Sequence, residues 1–223
     1  MKTDTFWKNK RVFITGGTSG LGRALVQQLD ALGAKTATVA RREAPGAIQG
    51  DVGDKWQIHR IYNEALAQLG QVDVLINNAS TLGVTPLKLL LDTECEDLSQ
   101  VLETNLLGPF RLIKLVAGGM LLNGFGVVVN ISSDAAVSAY PRWGSYGVSK
   151  AALDHLTRIL QAELEGQGIR FVALDPGDMN TPLHLAAIPE ADISQLHKPE
   201  ESAKLLLEQI AHEKFSPVRR SLR

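Results

Sequence analysis

Tyr146 and Lys150 stand four residues apart in Tyr146-Gly147-Val148-Ser149-Lys150, and on a helix that spacing puts both side chains on one face. A phenol with an ordinary pKa near ~10 is a poor base at neutral pH, but a neighbouring ammonium favours the phenolate. The pair is therefore a candidate proton-transfer unit, although the same spacing also serves a tyrosine ring packed over a lysine stem. A second candidate is Thr15-Gly16-Gly17-Thr18-Ser19-Gly20-Leu21-Gly22, where an apolar run ends and a helical pattern begins. Glycines there let backbone N–H groups approach a pyrophosphate, and a helix N-terminus adds partial positive charge. A tight turn with close helix packing is the alternative use. The spacing Gly-x-x-x-Gly-x-Gly is one residue longer than the common dinucleotide fingerprint, and no Lys-Ser/Thr pair follows to make a P-loop.

These groups need a scaffold, and the rhythm of the chain indicates one. Short apolar runs alternate with longer amphipathic segments, as in βαβ units that build a parallel sheet covered on both faces. Six strands are expected, at Val12 to Thr15, Thr36 to Ala40, Ala47 to Gly50, Val72 to Ile76, Val127 to Ile131 and Ile169 to Leu174. Leu21, Ala24, Leu25, Leu29 and Leu32 recur at helical spacing before Gly33, as do Ile58, Ile61, Ala65 and Leu69 before Gly70. Thr93 and Glu96 have capping-box spacing at the start of a third helix that runs toward Asn123, with a bend expected at Pro109. A fourth helix spans about Ser145 to Glu165, and a fifth starts at Pro199.

The 223 residues suit one α/β domain, 1–223, that buries roughly three quarters of its unfolded surface without a metal or disulfide. With 23 Lys+Arg against 24 Asp+Glu, the chain lacks the basic excess that a nucleic-acid binder uses against phosphates. Three arginines in the last six residues, Val218 to Arg223, read as a solvated tail. Cys95 is the only cysteine, so the chain reads as free of internal disulfides and of metal. Met1 to Arg11 is polar, with no apolar stretch after it, and apolar runs fall short of the ~20 residues that span a bilayer, so a cytoplasmic, membrane-free protein is expected.

The glycine turn, Asn77-Asn78-Ala79 after the fourth strand and Tyr146-x-x-x-Lys150 at the start of the fourth helix appear in the order and positions found in the short-chain dehydrogenase/reductase superfamily, which the chain resembles from about Lys10 to Thr181. The resemblance implies a Rossmann-type doubly wound parallel sheet, an NAD(H) or NADP(H) cofactor, and hydride exchange between an alcohol and a carbonyl. It implies that Tyr146 is the general acid/base and that Lys150 lowers its pKa and holds the nicotinamide ribose. Ser133, thirteen residues before Tyr146, would polarise the substrate oxygen, with Ser132 as the competitor if the strand ends one residue earlier. Asn105 matches the family's helical asparagine, which supports a water-linked proton path to the lysine. A buried amide that satisfies a local kink is an equally compatible use.

For the cofactor, the resemblance assigns Gly16, Thr18, Ser19, Gly20, Leu21 and Gly22 to the phosphates, and Asp51 with Val52 to the adenine. Asn78 and Ala79 would lie along the cofactor. This chain has Ser80 where the family usually has glycine. Pro176, Gly177 and Thr181 resemble the segment that contacts the nicotinamide carboxamide. Asp51 also reads as a turn or N-cap residue, and Asp175-Pro176-Gly177 as a simple turn.

Val39-Ala40-Arg41-Arg42-Glu43 ends the second strand. An acidic residue there binds the ribose hydroxyls of NAD, whereas arginine accommodates the extra phosphate of NADP. Ala40 supplies no carboxylate and Arg41 and Arg42 supply cations, so NADP(H) is expected rather than NAD(H). Only ten positions separate Arg41 from Asp51, which leaves little room for the usual helix. Phe215 to Arg220 has the length of a short seventh edge strand, limited by Pro217. A lid at about 181–198, with Tyr140, Arg142 and Trp143 nearby, suits a small or medium, partly apolar carbonyl compound. His184 and His197 read as lid or surface residues. The expected protein is an NADPH-dependent carbonyl reductase, and the family resemblance implies a homodimer through the long third and fourth helices. A non-catalytic NADP(H)-binding redox sensor or scaffold is the main alternative, and a dehydratase or epimerase a third.

Overall fold

The computed structural model describes residues 3–212 and 218–222. Continuous apolar runs such as Val12-Phe13-Ile14 form strands buried on both faces, as a parallel sheet covered by helices requires. The strands are β1 Arg11–Thr15, β2 Lys35–Ala40, β3 Ile48–Gln49, β4 Val74–Asn77, β5 Gly126–Ile131, β6 Ile169–Asp175 and β7 Arg219–Ser221. All pair in parallel, in the order β3-β2-β1-β4-β5-β6-β7. The order reverses between β1 and β4, so a crevice opens there at the carboxyl ends of the strands.

The helices are α1 Thr3–Trp7, α2 Gly20–Ala31, α3 Ile58–Leu69, α4 Cys95–Leu102, α5 Gly108–Leu122, α6 Gly144–Glu163, α7 Pro182–Ala187 and α8 Pro199–Ala211. On one face Leu25 and Leu29 of α2 and Leu206 and Ile210 of α8 pack on Val12, Ile14, Val129 and Val172. On the other, Ile61 of α3 and Leu112 and Val116 of α5 pack on Phe13, Leu75, Val128 and Phe171. Alternate residues of one strand serve opposite layers, which is the two-residue period of a strand at work.

Several expectations change. The long third helix is α4 and α5 joined by a π-helical stretch, Glu103–Leu107, and Pro109 sits in the first turn of α5, where its missing N–H costs little. The capping box does not form: Glu94 is the N-cap of α4, and the Thr93 hydroxyl donates to the Leu89 carbonyl at 3.0 Å instead. The run Cys95–Leu122 is long and apolar enough to cross a membrane by length and composition, contrary to the expected shortness of apolar runs. Its apolar side lies on the sheet through Leu112, Ile113, Val116 and Met120.

The polar N-terminal segment hides a core element. Phe6 and Trp7 of α1 are buried, and the Trp7 indole N–H donates to the Leu207 carbonyl of α8 at 3.2 Å. Two aromatics amid Lys and Asp carry no helical period, which is why α1 was not legible. The seventh strand does form, as Arg219–Ser221 beside β6, while Phe215 and Pro217 of the expected segment lie outside the described residues. Arg219 is not part of a solvated tail but is ion-paired to Asp154; Arg223 lies outside the described residues.

Docking of α1 can be weighed by comparing two tryptophans. Trp7→Ala should cost about 3–5 kcal/mol of unfolding free energy, whereas Trp56→Ala, at a site 82% exposed, should stay within about 0.5 kcal/mol. Urea unfolding of both variants measures this, and equal costs would mean that α1 is not part of the core.

Candidate active site

The glycine turn is held from below by the loop after β4. Gly16 adopts φ +70°, and a Cβ there would meet the Ala79 Cα at 3.0 Å, so only glycine lets the two segments approach. A Cβ at Gly22 would collide with the Gly16 carbonyl oxygen, which packs α2 against its own entry turn. The Thr15 hydroxyl accepts the backbone N–H of Asn78 and of Ala79, at 3.0 and 2.9 Å. The Asn78 amide donates back to the carbonyls of Thr15 and Gly16, at 2.9 and 3.1 Å. Asn78 thus pins the glycine turn with its side chain. Ser19, the N-cap of α2, makes no side-chain capping bond, so the first-turn N–H groups around Gly20, Leu21 and Gly22 remain available to an anion. Turn, crevice and open helix end fit the pyrophosphate of a nicotinamide dinucleotide.

At the far end of the crevice, Arg41 and Asp51 line a cleft of about 620 Å³ that also touches Thr81, Cys95 and Glu103. Arg41 and Arg42 are exposed, and Arg42 does not line the cleft. Asp51 accepts the Gly53 N–H at 2.8 Å, so it does form the turn that was its alternative reading, while Val52 beside it is buried. No helix intervenes between β2 and β3. Thr181 caps α7 by accepting the His184 N–H at 3.3 Å, and its methyl group would lie 3.2 Å from a Cβ at Gly20, so the lid reaches the glycine turn. Gly177, at φ +75°, turns the chain after β6 with its N–H bonded to the Asp175 carboxylate at 3.0 Å, and the Pro176 carbonyl accepts the Ser202 hydroxyl at 3.1 Å. His184 and His197 stay in the lid: the His184 ring is 3.9 Å from Asp178, and the His197 N–H bonds the Asp178 carbonyl.

Tyr146 and Lys150 occupy the first turns of α6, with Nζ 5.5 Å from the centre of the phenol ring. Both are buried, and the ammonium donates to the Ile131 carbonyl at 2.7 Å. Burial pushes the Tyr146 phenol up to about 12, partly opposed by the hydroxyls of Ser133 and Ser80 as hydrogen-bond partners. Burial pulls Lys150 down to about 8, against the attraction of Asp154. The expected lowering of the phenol by the lysine is therefore not the dominant effect here, because removal from water penalises the charged form of each group.

Of the two competing serines, Ser133 is the one whose hydroxyl meets Tyr146. It also accepts the Ala135 N–H at 3.2 Å and donates to Asp134 at 3.0 Å. Asn105 is buried in the π-helical stretch. Its amide donates to the Thr81 carbonyl at 2.9 Å and the Ser149 hydroxyl at 3.0 Å, and accepts the Thr81 N–H at 2.8 Å and the Ser80 hydroxyl at 3.1 Å. Those four bonds use the donors and acceptor of the side chain and tie the Ser80 loop to α6, the structural use that was compatible with the proton-path reading. Ser80, noted above only as a departure from glycine, thus touches both Asn105 and Tyr146. Asp154 was also missed, though its place four residues after Lys150 on the same helical face was readable.

Comparison with known proteins agrees with this geometry. The sequence model of the family described as short chain dehydrogenase matches residues 10–191. Human L-xylulose reductase is 33% identical over 96% of this chain and 86% of its own length. Several further relatives are longer, and this chain spans 62% to 65% of them. A structure named ElxO with NADP bound is 25% identical and superposes with a TM-score of 0.81 over 96% of this chain and 97% of that one. For 3-ketoacyl-(acyl-carrier-protein) reductase from Brucella melitensis, complexed with NADH, the TM-score is 0.86 over 97% of each chain, and at 24% identity it speaks to the fold. Glycine turn, parallel sheet and tyrosine-lysine helix agree with the sequence match, and the chain belongs to the short-chain dehydrogenase family of oxidoreductases.

Proposed function

We propose that this protein is an NADPH-dependent carbonyl reductase that interconverts a ketone or aldehyde and the corresponding alcohol. The observation that carries the reading is the convergence of half-buried Ser133 with buried Tyr146 and Lys150. When bound beside Tyr146, the nicotinamide supplies the hydride that the protein itself cannot. Ser133, by turning its one hydroxyl proton from Asp134 to the substrate, donates a hydrogen bond to the carbonyl oxygen, which draws electron density from the carbon. Tyr146 then gives its proton to that oxygen. A phenol held near 12 by burial keeps this proton at neutral pH, the form that reduction needs. Lys150, buried four residues on, holds the ribose hydroxyls and supports the phenolate left behind.

NADPH is favoured over NADH because Ala40 offers no carboxylate to a ribose hydroxyl while Arg41 faces the adenosine end of the cleft beside Asp51. The lone cysteine, Cys95, is exposed and unpaired, which suits a reducing cytoplasm. A homodimer through α4, α5 and α6 accounts for the exposed apolar residues Val148 and Ile159, eleven apart on one face of α6, and for Leu122 at the end of α5. The substrate reading stays at the level of a small or medium, partly apolar carbonyl compound, admitted between the lid and Trp143.

Absorbance at 340 nm across a panel of aldehydes, ketones, diketones and quinones tests the activity. Tyr146→Phe should lower kcat by ~100-fold or more with NADPH affinity nearly intact, and Lys150→Ala should weaken both; a Phe variant above about a tenth of wild-type kcat would refute the acid/base role. With charge-assisted bonds to the 2′-phosphate, NADPH should be preferred by roughly 10- to 100-fold in kcat/KM. Ala40→Asp with Arg41→Ser should reverse that preference at fixed ionic strength. Equal use of NADH by the wild type would reduce Arg41 and Arg42 to surface charge. Sedimentation should find a dimer at micromolar concentration, and a stable tetramer would contradict the interface assigned here.

A further inference from the structure

Arg219 lies on β7, the edge strand, in register with Ala173 of β6. Its guanidinium Nε donates to Asp154 Oδ2 at 2.7 Å and Nη2 donates to the Ser133 carbonyl at 2.9 Å, with Asp175 Oδ2 at 3.8 Å. Asp154 is 4% exposed and stands one helical turn beyond Lys150 on α6. Its other oxygen, Oδ1, is buried with no hydrogen-bond partner among the described residues. A carboxylate so far from water needs a cation, and the guanidinium fork that supplies it also grips the backbone of Ser133.

We propose that Arg219 is a positioning residue for the active site, which fixes Ser133 through its carbonyl and balances Asp154 so that the carboxylate does not act unopposed on Lys150. The inference rests on the roles given above to Ser133, Tyr146 and Lys150. It assigns the C-terminal edge strand a part in the chemistry, although β7 lies at the margin of the sheet and carries none of the reacting groups.

The charges involved come from four elements. Tyr146 and Asp154 share α6 with Lys150, Asp134 stands in the turn after β5, Asp175 ends β6, and Arg219 comes from β7. Removing the guanidinium bares Asp154, which favours the ammonium and moves the Lys150 titration to higher pH. Removing the Asp154 carboxylate while Arg219 stays favours the neutral amine and moves it to lower pH. Removing both should return it close to the wild-type value. A purely structural role would give no such opposite signs.

The test uses the 223-residue chain labelled with ¹³C-lysine, in which burial pulls Lys150 down to about 8. Lys150→Met identifies its signal. Arg219→Met should raise the Lys150 midpoint by about one pH unit and carry the alkaline limb of kcat/KM for carbonyl reduction upward with it. Through the loosened Ser133 it should also lower kcat by about 10-fold. Arg219→Lys keeps the charge but cannot hold both acceptors with one fork, so its midpoint should stay near wild type while kcat falls. Asp154→Asn should lower the midpoint, and Asp154→Asn with Arg219→Met should restore it. An unchanged midpoint and kcat in a folded Arg219→Met protein would overturn the proposal. If that variant does not fold, an unmoved or raised midpoint in Asp154→Asn would do so instead. A wild type that reduces no carbonyl would sink the activity reading alone, because the lysine titration reports on the Arg219–Asp154 balance without turnover.

Discussion

The Lys150 ammonium, 2% exposed, is the charge around which the site is arranged. A buried cation is costly unless it is bonded, and the Ile131 carbonyl at the end of β5 meets it at 2.7 Å. That bond ties the start of α6 to the carboxyl edge of the sheet. Burial also explains why two groups with ordinary pKa values near 10 diverge, the phenol upward and the amine downward. A dry site favours the neutral form of each group more than water does.

Polar side chains continue this anchoring through the interior. Asn77 of β4 donates to Asn130, its register partner on β5, and Asn130 donates to Thr157 of α6, each at 2.8 Å. Asn105 adds a second tie, joining the loop after β4 to Ser149, whose hydroxyl donates to the Tyr146 carbonyl at 2.7 Å. The π-helical stretch that carries Asn105 departs from α-helical spacing, and such stretches recur at functional sites. With two neighbours on α6 bonded to the sheet and the loop, the position of the phenol is fixed by packing as well as by its own hydroxyl contacts.

The glycine turn and the start of α6 meet because a parallel sheet brings all its carboxyl ends to one edge. Thr15 and Asn78 lock the turn after β1 to the loop after β4 across the point where strand order reverses. Thr181 and Gly177 close over the same edge from β6, and Arg219 reaches it from β7. Strand ends, loops and the start of α6, far apart in the sequence, thus meet along one edge.

Local information was enough for much of this. The apolar runs of β1, β2, β5 and β6, the helical periods that end before Gly33 and Gly70, the glycine turn and the Tyr146–Lys150 pair depend on contacts a few residues apart, so composition and spacing reveal them. Other features depend on what the rest of the chain presents. Phe6 and Trp7 make a core element only because α8 offers them an apolar face and a carbonyl, and Thr93 gives up its capping box for the Leu89 carbonyl. Ser133 rather than Ser132 faces Tyr146 because of where β5 ends, and Ser80 gains its role from Asn105 and Tyr146, far away in sequence. The direction of the Tyr146 shift and the pairing of Arg219 with Asp154 were beyond local reading for one physical reason: both follow from distance to water and to charges that only the assembled sheet brings together.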